Sequence, residues 1–102
     1  MNYNLVLTPI AEESIDNVMN YLLAEWGITV HDRFVKELSH CIDIIRQNPF
    51  AFSRSSIYFN IHRCVVTPQN ILYYRIEENN IVILELEDSR MNPDKLDYLL
   101  RL

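Results

Sequence analysis

The chain has 102 residues and a formal net charge of -5. Its length suits one domain with a modest core, and an apolar content of 49% with 23% charged residues is that of an ordinary soluble globular protein. No run approaches the ~18 apolar residues of a membrane span, and the acidic balance counts against binding free nucleic acid, whose phosphates need cations.

The N-terminus, MNYNLVLTP, has neither a basic n-region nor an apolar h-region. A signal peptide is therefore not expected, and the cytoplasm is the expected location. Tyr3 to Leu7 alternates as a strand does. Thr8 and Pro9 then open a helix, threonine as N-cap and proline at the first helical position. Glu12 and Glu13 place negative charge in the early turns, where the helix dipole favours it. Ala11, Ile15, Val18, Leu22 and Trp26 recur at helical spacing and predict one apolar stripe, with Trp26 in the core. Gly27 ends the run as a left-handed C-terminal residue.

A second helix follows at once. Phe34, Leu38, Cys41, Ile42 and Ile45 mark its buried face, and Asn48-Pro49 stops it. So short a connection predicts an antiparallel helical hairpin. A loop from Phe50 to Ser56 carries Arg54. Three strands are expected from Tyr58 to Val66, Asn70 to Glu77 and Ile81 to Glu87, joined by turns at Thr67-Pro-Gln69 and Glu78-Asn-Asn80 and hence antiparallel. Leu72, Tyr74 and Ile76 share one face of their strand, and Val82, Leu84 and Leu86 one face of the next. These apolar sets should meet the helices, provided that the turn at Glu78 to Asn80 has three residues. Ile71 and Ile83 would then be exposed. Pro93 to Leu102 can form a short terminal helix.

Chemistry-bearing motifs are sparse. Gly27 is the only glycine, so no glycine-rich phosphate loop exists. Cys41 and Cys64 lack metal-ligand spacing and read as buried free thiols of a reducing compartment. His31 and His40 stand too far apart along one helix to share a metal. No metal or other cofactor is expected. Glu85 and Glu87 share a strand face, which reads as a solvated or salt-bridged surface.

The order β-α-α-β-β-β describes an α+β fold with a helical hairpin on one face of a mainly antiparallel sheet. The chain resembles the RelE/ParE superfamily of toxins from bacterial type II toxin–antitoxin systems, and the ParE branch more closely. The resemblance is carried by Leu7-Thr-Pro-Ile-Ala-Glu12, Tyr21-Leu-Leu-Ala-Glu-Trp-Gly27, the Phe34/Leu38 spacing, Asn48-Pro49, Ile61-His-Arg63, Ile71-Leu-Tyr-Tyr-Arg75 and Asp88-Ser-Arg90-Met-Asn-Pro93. These cover nearly the whole chain as a single toxin domain, and their order and spacing are more specific than any one piece.

The resemblance implies a toxin neutralised by an antitoxin encoded beside it. RelE-like members cut messenger RNA on the ribosome with basic residues and a late tyrosine or histidine on the open sheet face. Such chemistry needs a base for the ribose 2′-hydroxyl, cations for the phosphate and an acid for the leaving group. ParE-like members instead inhibit DNA gyrase. Here the family's two basic positions before the Tyr73-Tyr74 strand fall at about His62 and Cys64, and a third falls at Ile71. Its late arginine falls near Arg90 or Met91, and Tyr98 is the only aromatic acid/base candidate in the terminal segment. Glu85, Glu87 and Asp88 put the wrong sign of charge beside a phosphate.

The preferred reading is a ParE-like, plasmid-stabilising toxin that acts by binding, with Arg63, Ile71, Tyr73, Arg75, Ile83 and Arg90 as its partner contacts. The alternative is a ribosome-dependent endoribonuclease using His62, Arg63, Arg90 and Tyr98, supported by Arg75. A third reading is an inactive binding module. Each residue also has a plain role: cross-strand ion pairs for Arg63 and Arg75, a structural salt bridge for Arg90, and packing for His62, Tyr73 and Tyr74.

Overall fold

Thr8 has extended backbone, and its Oγ1 accepts from the Ala11 N–H at 3.0 Å, satisfying one orphan donor of the first helix. The same hydroxyl donates to Leu84 O at 3.1 Å and ties the helix start to the sheet. The computed structural model describes residues 3–55 and 60–91. Its elements are β1 (Asn4–Leu7), α1 (Pro9–Trp26), α2 (Ile28–Gln47), β2 (His62–Thr67), β3 (Asn70–Glu77) and β4 (Asn80–Asp88), the expected order. The terminal helix expected from Pro93, and the strand start expected at Tyr58, lie outside the described residues.

Gly27 alone joins the two helices. Its N–H lies 3.0 Å from Leu22 O and 3.2 Å from Leu23 O, and its carbonyl accepts from His31 N at 3.1 Å. Its φ of 89° is positive as expected, but ψ is 175°. That pairing is extended rather than left-handed helical, and is open essentially to glycine alone.

The sheet runs β1-β4-β3-β2, with β1 parallel to β4 and the other pairs antiparallel. Both helices cover one face. Val18 and Leu22 from α1, and Phe34, Leu38 and Ile45 from α2, pack on Cys64, Leu72, Tyr74, Ile81, Ile83 and Leu86. Cys41 and Cys64 are free and buried. Burial pushes both upward, Cys64 to about 12, so each stays a thiol at neutral pH.

The structure corrects the faces of β4. Glu77 pairs with Asn80, so the turn has two residues, Glu78 and Asn79, with Glu78 at φ 54°. The shorter turn brings Ile81 and Ile83 inward, both 0% exposed. Leu84 is then passed over, since Tyr73 pairs with Glu85 but Tyr74 pairs with Ile83. This bulge resets the alternation, and Leu86 returns to the core. Ile83 is therefore not an exposed contact: it is core, and its carbonyl accepts from Thr8 N at 3.1 Å. Trp26 departs in the opposite sense. It is the last residue of α1, a turn beyond buried Leu22, and is 54% exposed.

Candidate partner-binding surface

Strand register arranges the sheet face opposite the helices in rungs. Arg63, Tyr73 and Glu85 align across β2, β3 and β4, and Val65, Ile71 and Glu87 form the next rung. Arg63 is exposed, Val65 is 57% exposed, and Ile71 and Tyr73 are half-buried. Val65 was not singled out from sequence, although it shares the period-two parity of Arg63 that would have revealed it.

Glu87 is not the solvated carboxylate that the sequence suggested. It is 5% exposed, and its Oε2 accepts from the Tyr73 hydroxyl at 3.1 Å. Burial, and then the charge of Glu87, push the Tyr73 phenol up to about 12. The other oxygen of Glu87, Oε1, is buried with no hydrogen-bond partner among the described residues. Arg75 pairs with Glu77 on its own strand at 3.0 Å, rather than across strands. Both side chains are well exposed, so this pair contributes little.

His62 faces the helices. It is 6% exposed and its Nδ1 lies 2.9 Å from Phe52 O. A carbonyl only accepts, so Nδ1 carries the proton in this bond. The ring stacks on Tyr74 at 5.2 Å and meets Phe50 edge-on at 6.1 Å. Tyr74 in turn donates to Pro49 O at 2.6 Å, anchoring the exit of α2 on the sheet.

Arg90 sits on the turn after β4 as a structural ion pair. Its Nε and Nη2 reach the two Asp88 oxygens at 3.1 and 2.7 Å, and its guanidinium lies 5.8 Å from the ring centres of both Tyr21 and Trp26. Asp88 also accepts from Asn70 Nδ2 at 2.8 Å, and Asn70 accepts from Thr67 Oγ1 at 2.7 Å. Burial would raise the Asp88 carboxyl, but the hydrogen bonds from Arg90 and Asn70 outweigh it and hold that group below the usual carboxylate range. The Asp88–Arg90 and Thr67–Asn70 pairs are local in sequence, and strand register joins them by setting Asn70 opposite Asp88.

The residues named for nuclease chemistry are thus dispersed. His62 lies on the inner face, Arg63 on the outer face, and Arg90 against α1. Tyr98 lies outside the described residues. No group of three His, Cys, Asp or Glu side chains among the described residues could hold a metal ion. No helix among them is long and apolar enough to cross a membrane.

Two clefts beside the sheet are open enough to receive a partner segment. One of about 420 Å³ lies between the end of α1, the start of α2 and the β2–β3 turn, with Leu22, Val30, Phe34, Val66 and Arg90 in its walls. Leu23, Trp26 and Ile28 add exposed apolar surface at the hairpin tip. The other, of about 410 Å³, follows the outer edge of β2 past Phe52, Arg54, Arg63 and Val65. The segment around Ser53 to Ser55 occupies that edge only at its start, through Arg63 N to Ser53 O at 3.0 Å and Ser55 N to Ile61 O at 2.6 Å. Beyond Arg63, β2 has no outer strand neighbour among the described residues.

A family profile described as "ParE toxin of type II toxin-antitoxin system, parDE" matches residues 5–93. The chain belongs to the ParE toxin family. Toxin ParE1 of Mycobacterium tuberculosis is 23% identical over 96 residues, spanning 93% of this chain and 98% of that protein. Among solved structures, the chromosomal ParDE system of P. aeruginosa superposes with a TM-score of 0.72 at 15% identity, over 84% of this chain and 95% of that one. The YafQ–DinJ toxin–antitoxin complex of E. coli gives 0.63 at 7% identity, over 89% and 97%. At such low identities the structural likeness establishes the fold, a ParE/RelE-type α+β arrangement, and the family profile establishes the toxin class.

Proposed function

We propose that this ParE-family toxin arrests growth by binding rather than by catalysis, that its target is DNA gyrase, and that it serves plasmid stabilisation. A cognate antitoxin, encoded beside it, neutralises it. The observation that carries the choice of binding is the dispersal of the nuclease candidates, with the His62 ring locked in packing and acidic residues on the sheet face where a phosphate would need cations. The family match and the likeness to toxins solved with their antitoxins support the partner.

The antitoxin would use two features of the surface. An extended segment would add to the free part of the β2 edge, and a helix would lie in the cleft at the hairpin tip. Arg63, Ile71, Tyr73, Arg75 and Arg90 remain the proposed contacts, now joined by Val65, with Ile83 removed by its burial. Induction without the antitoxin, followed by gyrase supercoiling and RNA-cleavage assays, tests the reading. Inhibited supercoiling with intact messenger RNA is expected. Cleaved messenger RNA with untouched gyrase would overturn it in favour of the ribonuclease.

A further inference from the structure

Past Ile83, β4 loses β1 as a neighbour, because the chain turns into α1 at Thr8. Side chains of α1 and its cap take over that edge: Thr8 Oγ1 donates to Leu84 O, and Ser14 Oγ accepts from Leu86 N at 3.0 Å. A partner strand therefore cannot add here. What remains is a small cleft of about 110 Å³, lined by Ser14, Asn17, Val18, Glu85, Glu87 and Met91, with Leu86 and Asp88 also in its wall.

The cleft has three chemical properties. It is acidic, since Glu85 and Glu87 both line it. Its acidic wall contains an unmet acceptor, because Glu87 is 5% exposed and its Oε1 has no hydrogen-bond partner among the described residues. A buried carboxylate oxygen left in that state is costly, and a donor that reaches it gains correspondingly. It also has apolar walls in Val18 and Met91. Met91 is unbranched and 40% exposed, which makes it the wall that moves aside most easily.

Asp88, the neighbouring residue, shows what completes such an acceptor. Both of its oxygens are taken by a guanidinium, as described above. Asp88 is thereby consumed, and the cleft does not have the carboxylates for a divalent metal. An arginine supplies the missing elements together: several donors in a planar fork for the carboxylate, and an apolar stem for Val18 and Met91.

We propose that the cleft between α1 and the end of β4 receives an arginine side chain of the protein partner, with Glu87 as the carboxylate that pairs with it. The partner's identity as antitoxin rests on the reading above; the chemistry of the cleft does not. Two experiments separate them.

In the first, the purified chain is titrated with methylguanidinium and followed by amide NMR. Saturable shifts confined to Asn17, Glu85 to Asp88 and Met91 are expected, and they should vanish in Glu87→Gln, which keeps the Tyr73 contact and the shape. Absence of shifts in the wild-type chain, or shifts that persist in Glu87→Gln, would overturn the proposal whatever the partner is. In the second, the product of the adjacent open reading frame is the probe. Glu87→Gln should weaken its binding about tenfold and flatten the salt dependence, with urea stability of the free toxin unchanged or raised. One arginine of that product should show non-additive coupling to Glu87. Unchanged affinity, or no coupled arginine, would count against the cleft. Failure of the wild-type chain to bind the product at all would instead remove the toxin–antitoxin reading, with the methylguanidinium result still standing.

Discussion

Asp88 is the residue on which the polar structure of the sheet end converges. Its side chain is fully buried, and it holds Arg90, Asn70 and the backbone N–H of Arg90 together. Its carboxyl is depressed, so its contribution is complete above the unfolded value of about 3.9 and is lost as pH falls through the lower folded value. Asp88→Asn should cost about 2 kcal/mol at pH 7 in urea denaturation, the scale of hydrogen bonds to a charged group. The deficit relative to wild type should close as the pH drops below about 4. Tyr74→Phe tests a neutral counterpart: removing the 2.6 Å bond to Pro49 O should cost about 1 to 2 kcal/mol in the same assay, because the carbonyl is left unpaired in a buried site. The sequence identified Tyr74 as packing but carried no sign of its Pro49 partner, which comes from a different part of the chain.

At the scale of elements, two local devices set the geometry. Gly27 is one. Beyond its immediate chain neighbours, nothing lies within 4 Å of where its Cβ would stand, so Gly27→Ala meets backbone strain alone. The expected cost is about 1 to 3 kcal/mol, read as a lower midpoint in urea without a change in slope. The bulge at Leu84 is the other. Substituting Leu84 by Ala leaves the alternation intact and should cost no more than about 2 kcal/mol. Deleting Leu84 should also be tolerated, because Ile83 and Glu85 then become consecutive opposite Tyr74 and Tyr73, and regular alternation keeps Leu86 in the core. A cooperative urea transition kept in both variants is the outcome to look for, and its loss in the deletion would show that the bulge itself is needed. The helices were legible at this scale because caps, glycine and 3.6-residue spacing are short-range signals. The faces of β4 were not, because Ile81, Val82, Ile83 and Leu84 are all apolar and give alternation nothing to choose between.

At the scale of the whole molecule, the helices close one sheet face and β1 guards half of the β4 edge, leaving the outer part of β2 as the edge with no strand neighbour among the described residues. Val65→Lys tests its use. Val65 is exposed, so stability should move by no more than about 0.5 kcal/mol. Calorimetric titration with the antitoxin should nevertheless show weakened binding if a strand adds there, since a lysine opposes an extended apolar partner.

The amino-acid sequence by itself determined the order of elements, the two helices with their shared glycine, the buried stripes of α2 and β3, and the superfamily. Each of these depends on residues close together in the chain or on their linear order. Only the tertiary structure decided that Ile83 is core, that Trp26 is outside, that His62 is packed, and that Glu87 is buried with one oxygen unmet. The places of Ile83 and Glu87 depend on strand register, set by one turn and one bulge in β4, whereas those of Trp26 and His62 depend on where the end of α1 and the loop after α2 come to lie.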